Sequence, residues 1–215
     1  VKLTERITAI SKATALALKE YEYISKSNVN VIYNGIPSNL PTISTDMRKE
    51  LNIDTNALVL GTIARFDPIK NHGMMLDSVA ELIRQNINVH LILVGDGECR
   101  QEIEDKIARL KISDYVTLTG YISKPFDYLN IMEVFLLTSF SEGTSMTLLE
   151  AMRSSKPCIV TDVGGNPEVI EHNNNGFVIQ SDSVSELTES IINLYSDHDL
   201  KNQMGKNALQ RFNKL

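Results

Sequence analysis

Two things are scarce in this 215-residue chain, cysteine and positive charge, and each scarcity bounds the reading. Cysteine occurs only at Cys99 and Cys158, far apart and outside any paired motif. That spacing gives neither a disulfide framework nor a zinc-ligand signature, and a reducing compartment is expected. The 21 Lys and Arg are outnumbered by 27 Asp and Glu, for a formal net charge of −6. A nucleic-acid binder would show a basic face, so any anion site here has to be a local arrangement of positive groups. No apolar run approaches the length of a membrane span. No signal peptide is legible, and the chain starts at Val1 rather than at a methionine. The expectation is a fragment of a longer protein.

What is present reads as an ordinary globular α/β chain. Hydrophobic residues make up 42% and charged residues 22%, as in a soluble fold with one large domain or one and a half small ones. Strands are expected at 5–10, 29–33, 58–64, 89–94, 115–119, 134–137, 158–161 and 177–179. Helices are expected from Lys12 to about Lys26, from Thr45 to near Asn52, and over 72–85, 98–110, 125–130, 145–153, 167–171, 183–195 and 199–212. Ser11 and Thr45 are candidate caps. Asn34-Gly35-Ile36-Pro37 marks a turn, and a loop with Pro41 follows it. Several strands are apolar without alternation, and they alternate with helices almost throughout. These are the marks of a parallel sheet with helices on both faces, Rossmann-like in layout. Ligands of such sheets sit off the carboxyl ends of the strands. Attention therefore falls on 65–71, 95–97, 120–124, 139–145 and 164–168.

Arg65 and Lys70 follow one strand. A guanidinium fork and a movable ammonium are suited to a diphosphate and to the charge on a departing phosphate, although spacing alone favours two solvated surface residues. The segment from Thr138 to Glu168 is the organising unit. Thr144 or Ser145 can cap a helix there, whose first N–H groups, near Ser145, Met146 and Thr147, form an anion site. Gly143 lets a ligand approach the backbone closely. Glu142 is placed for sugar hydroxyls, and ribose hydroxyls would satisfy Glu150 among its apolar neighbours. Equally, Glu142 can be a loop acid and Glu150 the wet side of an amphipathic helix. Gly95-Asp96-Gly97 lacks the third glycine of a dinucleotide fingerprint, since position 100 is Arg, and NAD binding is rejected. Gly205-Lys206 lacks the glycine-rich loop of a P-loop. Gly164-Gly165 is a tight turn that either approaches a ligand or only reverses the chain. The scattered His72, His90, His172 and His198 form no metal set and read as structural or surface residues. No Ser–His–Asp nucleophile set is evident.

Glu142-Gly143-Thr144-Ser145-Met146-Thr147-Leu148-Leu149-Glu150 resembles the E-x7-E motif of the retaining GT-B glycosyltransferases of group 1 (GT4-like). Ala151-Met152, Lys156 to Val160, Gly164 to Glu168 and Gly176-Phe177-Val178 continue that pattern. Upstream, Val31 to Ile36, Arg65 with Lys70-Asn71, Leu93 to Gly97 and Leu118 to Ile122 also resemble it. The resemblance spans about residues 5–213 and implies one half of a GT-B fold. Residues 1–27 would be the crossover from a missing amino-terminal domain, and 28–215 the nucleotide-sugar donor-binding domain. Arg65, Lys70 and Glu142 would be the catalytic set, with the two bases on the diphosphate and Glu142 on the transferred sugar. Glu150 would take the ribose, the backbone of Gly143 to Thr147 the sugar and phosphate, and Gly95, Gly120 and Ile122 would border the base.

The resemblance implies a UDP-, GDP- or ADP-sugar as substrate, no metal and no other cofactor. It also implies a sugar or lipid-linked acceptor reached through the missing domain, in glycan or polysaccharide assembly. The fragment alone is expected to be inactive. It is expected in the cytoplasm, any contact with the inner face of a membrane coming through the missing domain. Glu-Gly-Thr-Ser stands where the family often has E-G-F-G, so donor choice does not carry over. A non-catalytic nucleotide-sugar binding module and half of a sugar-nucleotide epimerase remain the alternatives.

Overall fold

The computed structural model describes residues 7–21, 29–36 and 47–215. In chain order the elements are β1 (Ile7–Ala9), α1 (Lys12–Tyr21), β2 (Val29–Val31), α2 (Met47–Glu50), β3 (Leu58–Ile63), α3 (His72–Arg84), β4 (Val89–Val94), α4 (Arg100–Leu110) and β5 (Val116–Leu118). They continue with α5 (Phe126–Ile131), β6 (Val134–Leu137), α6 (Met146–Arg153), β7 (Cys158–Thr161), α7 (Asn166–Val169), β8 (Gly176–Ile179), α8 (Val184–Ser196) and α9 (His198–Phe212). Expected features at Pro37, Pro41 and Thr45, and the expected end of the first helix near Lys26, lie outside the described residues.

Six strands form one parallel sheet in the order β5-β4-β3-β6-β7-β8. Adjacent strand residues feed opposite faces. Leu60, Leu91, Leu136 and Ile159 pack with Met75, Val79, Leu82, Ile103, Leu187 and Ile191 of α3, α4 and α8. Val59, Ile92, Phe135, Leu137 and Val160 pack with Leu129, Leu148, Leu149, Met152 and Ala208 of α5, α6 and α9. This two-sided burial is why these strands read as unbroken apolar runs. Full burial of each such side chain contributes about 1.5–3 kcal/mol before chain entropy is set against it. The Rossmann-like expectation holds: this is a doubly wound parallel sheet with helices on both faces.

The chain builds β3, β4 and β5 in one direction, then returns to lay β6 on the other side of β3. The loops after β3 and β6 therefore diverge, and a crevice opens between them. Among the boundaries that differ from expectation, two have a clear local reason. α4 starts at Arg100 rather than Glu98, because the Cys99 N–H is drawn to the Phe66 carbonyl at 3.0 Å. Ser113–Tyr115 forms a 3-10 turn that takes Tyr115 out of β5.

β1 and β2 form a separate two-stranded parallel sheet joined by α1. Ser11 caps α1 as expected, its hydroxyl accepting from the Thr14 N–H at 3.0 Å. β2, counted by sequence reasoning with the donor domain, thus pairs with β1 and not with the six-stranded sheet. Among the described residues no helix is long and apolar enough to cross a membrane.

Candidate functional site

The β3 and β6 loops are stitched together at the crevice. Pro68–Lys70 makes a 3-10 turn that ends at Asn71 in the left-handed region, and the Asn71 side chain caps α3. The Phe140 N–H donates to the Ile69 carbonyl at 2.8 Å, and the Thr138 hydroxyl reaches the carbonyls of Lys70 and Asn71 at 3.1 and 3.0 Å. This brings Lys70 Nζ to 2.7 Å from Glu142 Oε1, with the Ser139 hydroxyl donating to the same oxygen at 2.6 Å. The Glu142 side chain is only 9% exposed and that of Lys70 22%. The pair is fixed and largely shielded from water.

Arg65 is paired within its own loop. Both Nε and a terminal nitrogen donate to Asp67 Oδ2, at 2.8 and 2.7 Å, while the side chain remains 78% exposed. It also borders a cavity of about 410 Å³ walled by Ile63, Val94, Tyr121, Ile122 and Thr147. Gly95 and Asp96 complete that wall. Gly120 is joined to it, since its carbonyl accepts from the Gly95 N–H at 3.0 Å.

α6 begins beside this cavity. Ser145, not Thr144, is the cap, its hydroxyl accepting from the Leu148 N–H. The earlier first-turn amides of Met146 and Thr147 have no intrahelical acceptor. Thr147 lines the cavity, and the Met146 side chain is 41% exposed. Thr144 is buried, and its hydroxyl donates to the Ile10 carbonyl at 2.5 Å, away from the crevice. Gly143 lies under Ile10, whose Cδ1 would stand 2.5 Å from any added Cβ. Gly164 shows why the second glycine pair is there: at φ +53° it passes so close that a Cβ would overlap the Glu142 carbonyl. The Gly165 N–H donates to the carbonyls of Glu142 and Gly143 at 3.3 and 3.1 Å. The turn therefore props the loop that carries Glu142.

Glu150 is half-buried on α6. Burial raises its carboxyl above the ordinary value, with Arg153 opposing. No hydrogen bond to its carboxylate comes from the described residues, and it touches neither Lys70 nor Arg65. Of Arg65, Lys70, Glu142 and Glu150, it is Lys70 and Glu142 that are in direct contact.

Sequence reasoning passed over four residues here. Ser139 is fully buried on Glu142. Asp67 holds Arg65, and the two-residue spacing in Arg65-Phe66-Asp67 was the available signal. Tyr121 is 79% exposed at the cavity mouth. Glu168, read only as part of a turn, binds the start of α1. His72 is structural: it is buried, its ring stands edge-on to Phe66 at 4.9 Å, and its Nε2 has no hydrogen-bond partner. Burial lowers it to about 4; Asp67 opposes this and Lys70 adds to it.

The family of glycosyl transferases group 1 matches residues 43–211. The N-acetyl-alpha-D-glucosaminyl L-malate synthase of Bacillus anthracis is 28% identical over 212 residues, covering 97% of this chain and 55% of that protein. The UDP-Gal:alpha-D-GlcNAc-diphosphoundecaprenol alpha-1,3-galactosyltransferase of Escherichia coli is 26% identical over 96% of this chain and 55% of its own length. Anabaena Alr3699/HepE, solved in complex with UDP-glucose, superposes with a TM-score of 0.91 at 26% identity, over 99% of this chain and 60% of that one. The chain spans about half the length of the curated relatives it matches. A doubly wound sheet, a crevice at its switch point and a match over most of its length place this chain in one family: it belongs to the glycosyl transferases group 1.

Proposed function

We propose that this chain is the nucleotide-sugar donor-binding part of a retaining glycosyltransferase that acts in glycan assembly. The observation that carries this is the Lys70–Glu142 pair joining the β3 and β6 loops, together with the 410 Å³ apolar-walled cavity that Arg65 of the same β3 loop lines. The cavity takes the base, between Ile63, Val94, Ile122 and Tyr121. Glu150 receives the ribose hydroxyls, which supply the hydrogen bonds its half-buried carboxylate lacks. The diphosphate lies between Lys70, Arg65 and the amino end of α6, three sources of positive potential. In this reading those groups supply the neutralisation, and neither a metal nor a further cofactor is required.

Transfer breaks the bond between the sugar C1 and the β-phosphate oxygen and forms a bond from C1 to the acceptor oxygen. Negative charge grows on the departing phosphate, where Lys70 and Arg65 stabilise it. The acceptor proton goes to that phosphate on the same face, which retains the anomeric configuration. Glu142 holds the transferred sugar through its hydroxyls. The sugar or lipid-linked acceptor is held by parts of the protein outside residues 1–215, so this piece alone binds donor without transferring it. Because β2 pairs with β1, we place the boundary of the donor domain between Ile36 and Met47. The relatives solved with UDP and UDP-glucose support the choice of first ligand to test.

The test is a thermal-shift panel of UDP, GDP and ADP on the purified protein. At least one should raise the melting temperature, and Lys70→Ala should reduce that rise. No shift with any of the three at millimolar concentration overturns the reading. Loss of sugar transfer by the full-length protein on Glu142→Ala tests the catalytic half of the proposal.

A further inference from the structure

Glu168 sits far from the Lys70–Glu142 pair in sequence and takes no part in the donor contacts proposed above, yet it is the most connected carboxylate of this region. Oε2 accepts from the Lys12 N–H at 3.0 Å and from the Tyr33 hydroxyl at 2.7 Å, and Oε1 accepts from the Ala13 N–H at 2.9 Å. Its own carbonyl accepts from Arg211 at 2.9 Å, which ties the residue to α9. The acid fills the amino end of α1, where the first N–H groups have no helical acceptor and the helix dipole favours a negative charge. Burial alone would raise the carboxyl, but the Ala13, Tyr33 and Lys12 hydrogen bonds, in that order, outweigh it and hold it below the ordinary value.

The consequence lies in what the fastened segment covers. Just before α1, Ile10 lies over Gly143 and its carbonyl takes the Thr144 hydroxyl. Ser11 packs on Gly165 so closely that an added Cβ would come within 3.0 Å. Just after β2, the Asn34 amide donates to the Thr144 carbonyl at 3.0 Å. The loop carrying Glu142 is thus held from two sides, by the Gly164-Gly165 turn and by residues 10–11 and 34. Glu168 joins those sides, because it follows the turn and grips the segment.

We infer that Glu168 is a positioning residue: its carboxylate clasps the β1–α1–β2 unit onto the Glu142–Thr144 loop, so that seating of the unit and shaping of the ligand-facing loop are one coupled event. Coupling of this kind is reciprocal. A ligand that orders the loop tightens the clasp, and loss of the clasp loosens the loop. The ligand half of this inference rests on the donor-site reading; the clasp itself does not.

The experiment is amide hydrogen exchange on the full-length protein, first without ligand. Glu168→Ala should speed exchange about tenfold or more at residues 12–14 and also at 143–147, with the β4 amides unchanged. Glu168→Gln, which still accepts hydrogen bonds, should fall between wild type and Glu168→Ala. Tyr33→Phe should move both regions the same way by less, and serves as the readout if Glu168→Ala folds poorly. Faster exchange at 12–14 alone, with 143–147 unchanged in every variant, overturns the inference. So does a uniform rise throughout the sheet in all three variants.

The second arm adds UDP. UDP should slow exchange at 12–14 in the wild type, and Glu168→Ala should abolish that effect and weaken UDP binding severalfold. Equal UDP affinity in wild type and Glu168→Ala overturns the coupling. A wild type that binds no UDP counts against the donor-site reading, while the ligand-free arm still decides the clasp.

Discussion

Glu142 holds the ammonium of Lys70, the positive charge that the proposed diphosphate would use. Lys70 Nζ and Glu142 Oε1 are 2.7 Å apart, and the carboxylate side chain is 9% exposed. Replacing Glu142 by Gln keeps the shape and the Ser139 contact but removes the charge. A phosphate oxygen bound at Lys70 would stand roughly 6 Å from that carboxylate. At an effective dielectric of about 20 the repulsion is about 3 kcal/mol per unit charge. Side-chain rearrangement and counter-ions reduce this, so a net gain of about 1.4 kcal/mol, tenfold in affinity, is the expected scale. Glu142→Gln should therefore bind UDP about ten times more tightly than wild type. Lys70→Met should bind it about ten to a hundred times more weakly, since hydrogen bonds to charged groups contribute about 1.5–3 kcal/mol. Titration calorimetry of UDP against the three proteins at one ionic strength measures this directly. In the full-length protein Glu142→Gln should still lose sugar transfer, separating nucleotide affinity from catalysis. If Glu142→Gln weakens UDP as much as Lys70→Met does, the carboxylate is supporting the phosphate site rather than competing for it, and the reasoning fails.

Three further outcomes follow from single residues. His72, lowered by burial to about 4 against 6.5 when unfolded, takes up a proton on unfolding below pH 6.5; stability should fall from about pH 6.5 to 4 by up to about 3 kcal/mol. Urea unfolding of His72→Phe should show a flatter profile in that window, and an unchanged slope would refute the assignment. Glu150, whose carboxyl burial raises, should bind uridine hydroxyls as the carboxylate. Uridine affinity followed by NMR should then rise with pH through the acid range and become flat in Glu150→Gln; uridine is chosen because it carries no titrating phosphate. Ser145→Ala removes the α6 cap and should cost about 1 kcal/mol of stability, with weaker UDP binding because the helix start frays. Unchanged UDP affinity in a destabilised Ser145→Ala protein would detach the α6 amino end from the phosphate site.

In the proposed reading an acidic chain would hold a dianionic ligand through local positive groups. The overall charge is −6, but Arg65 and Thr147 of the α6 start line one cavity, and Lys70 lies on the same β3–α3 connection as Arg65. Arg65 is partly neutralised by Asp67 and mostly exposed, so under the proposal its hold on phosphate would be the weaker and more easily screened of the two. The glycines of 164–165 serve the loop backbone instead of a ligand, as their contacts with Glu142 and Gly143 show.

Local pattern carried the secondary structure. β4, β6 and β7 have the bounds their apolar runs predict, because a strand buried on both faces reads as a near-continuous apolar run. Ser11, Ser145 and Ser183 mark helix starts as short polar residues that answer the first amides. The alternation of strand and helix was enough for a parallel sheet, and the joint order and spacing of the motifs was enough for the resemblance to the family. Partners across the fold were not legible. Lys70 meets Glu142 across 72 residues, and Glu168 meets Lys12 across 156. Thr144 meets the Ile10 carbonyl across 134 residues. Strand order decided these outcomes. β6 lies beside β3 although β4 and β5 come between them in sequence, and no local periodicity encodes that return. Only the assembled sheet sets which loops share the crevice, and only the packed loops set which side chain each charge can reach.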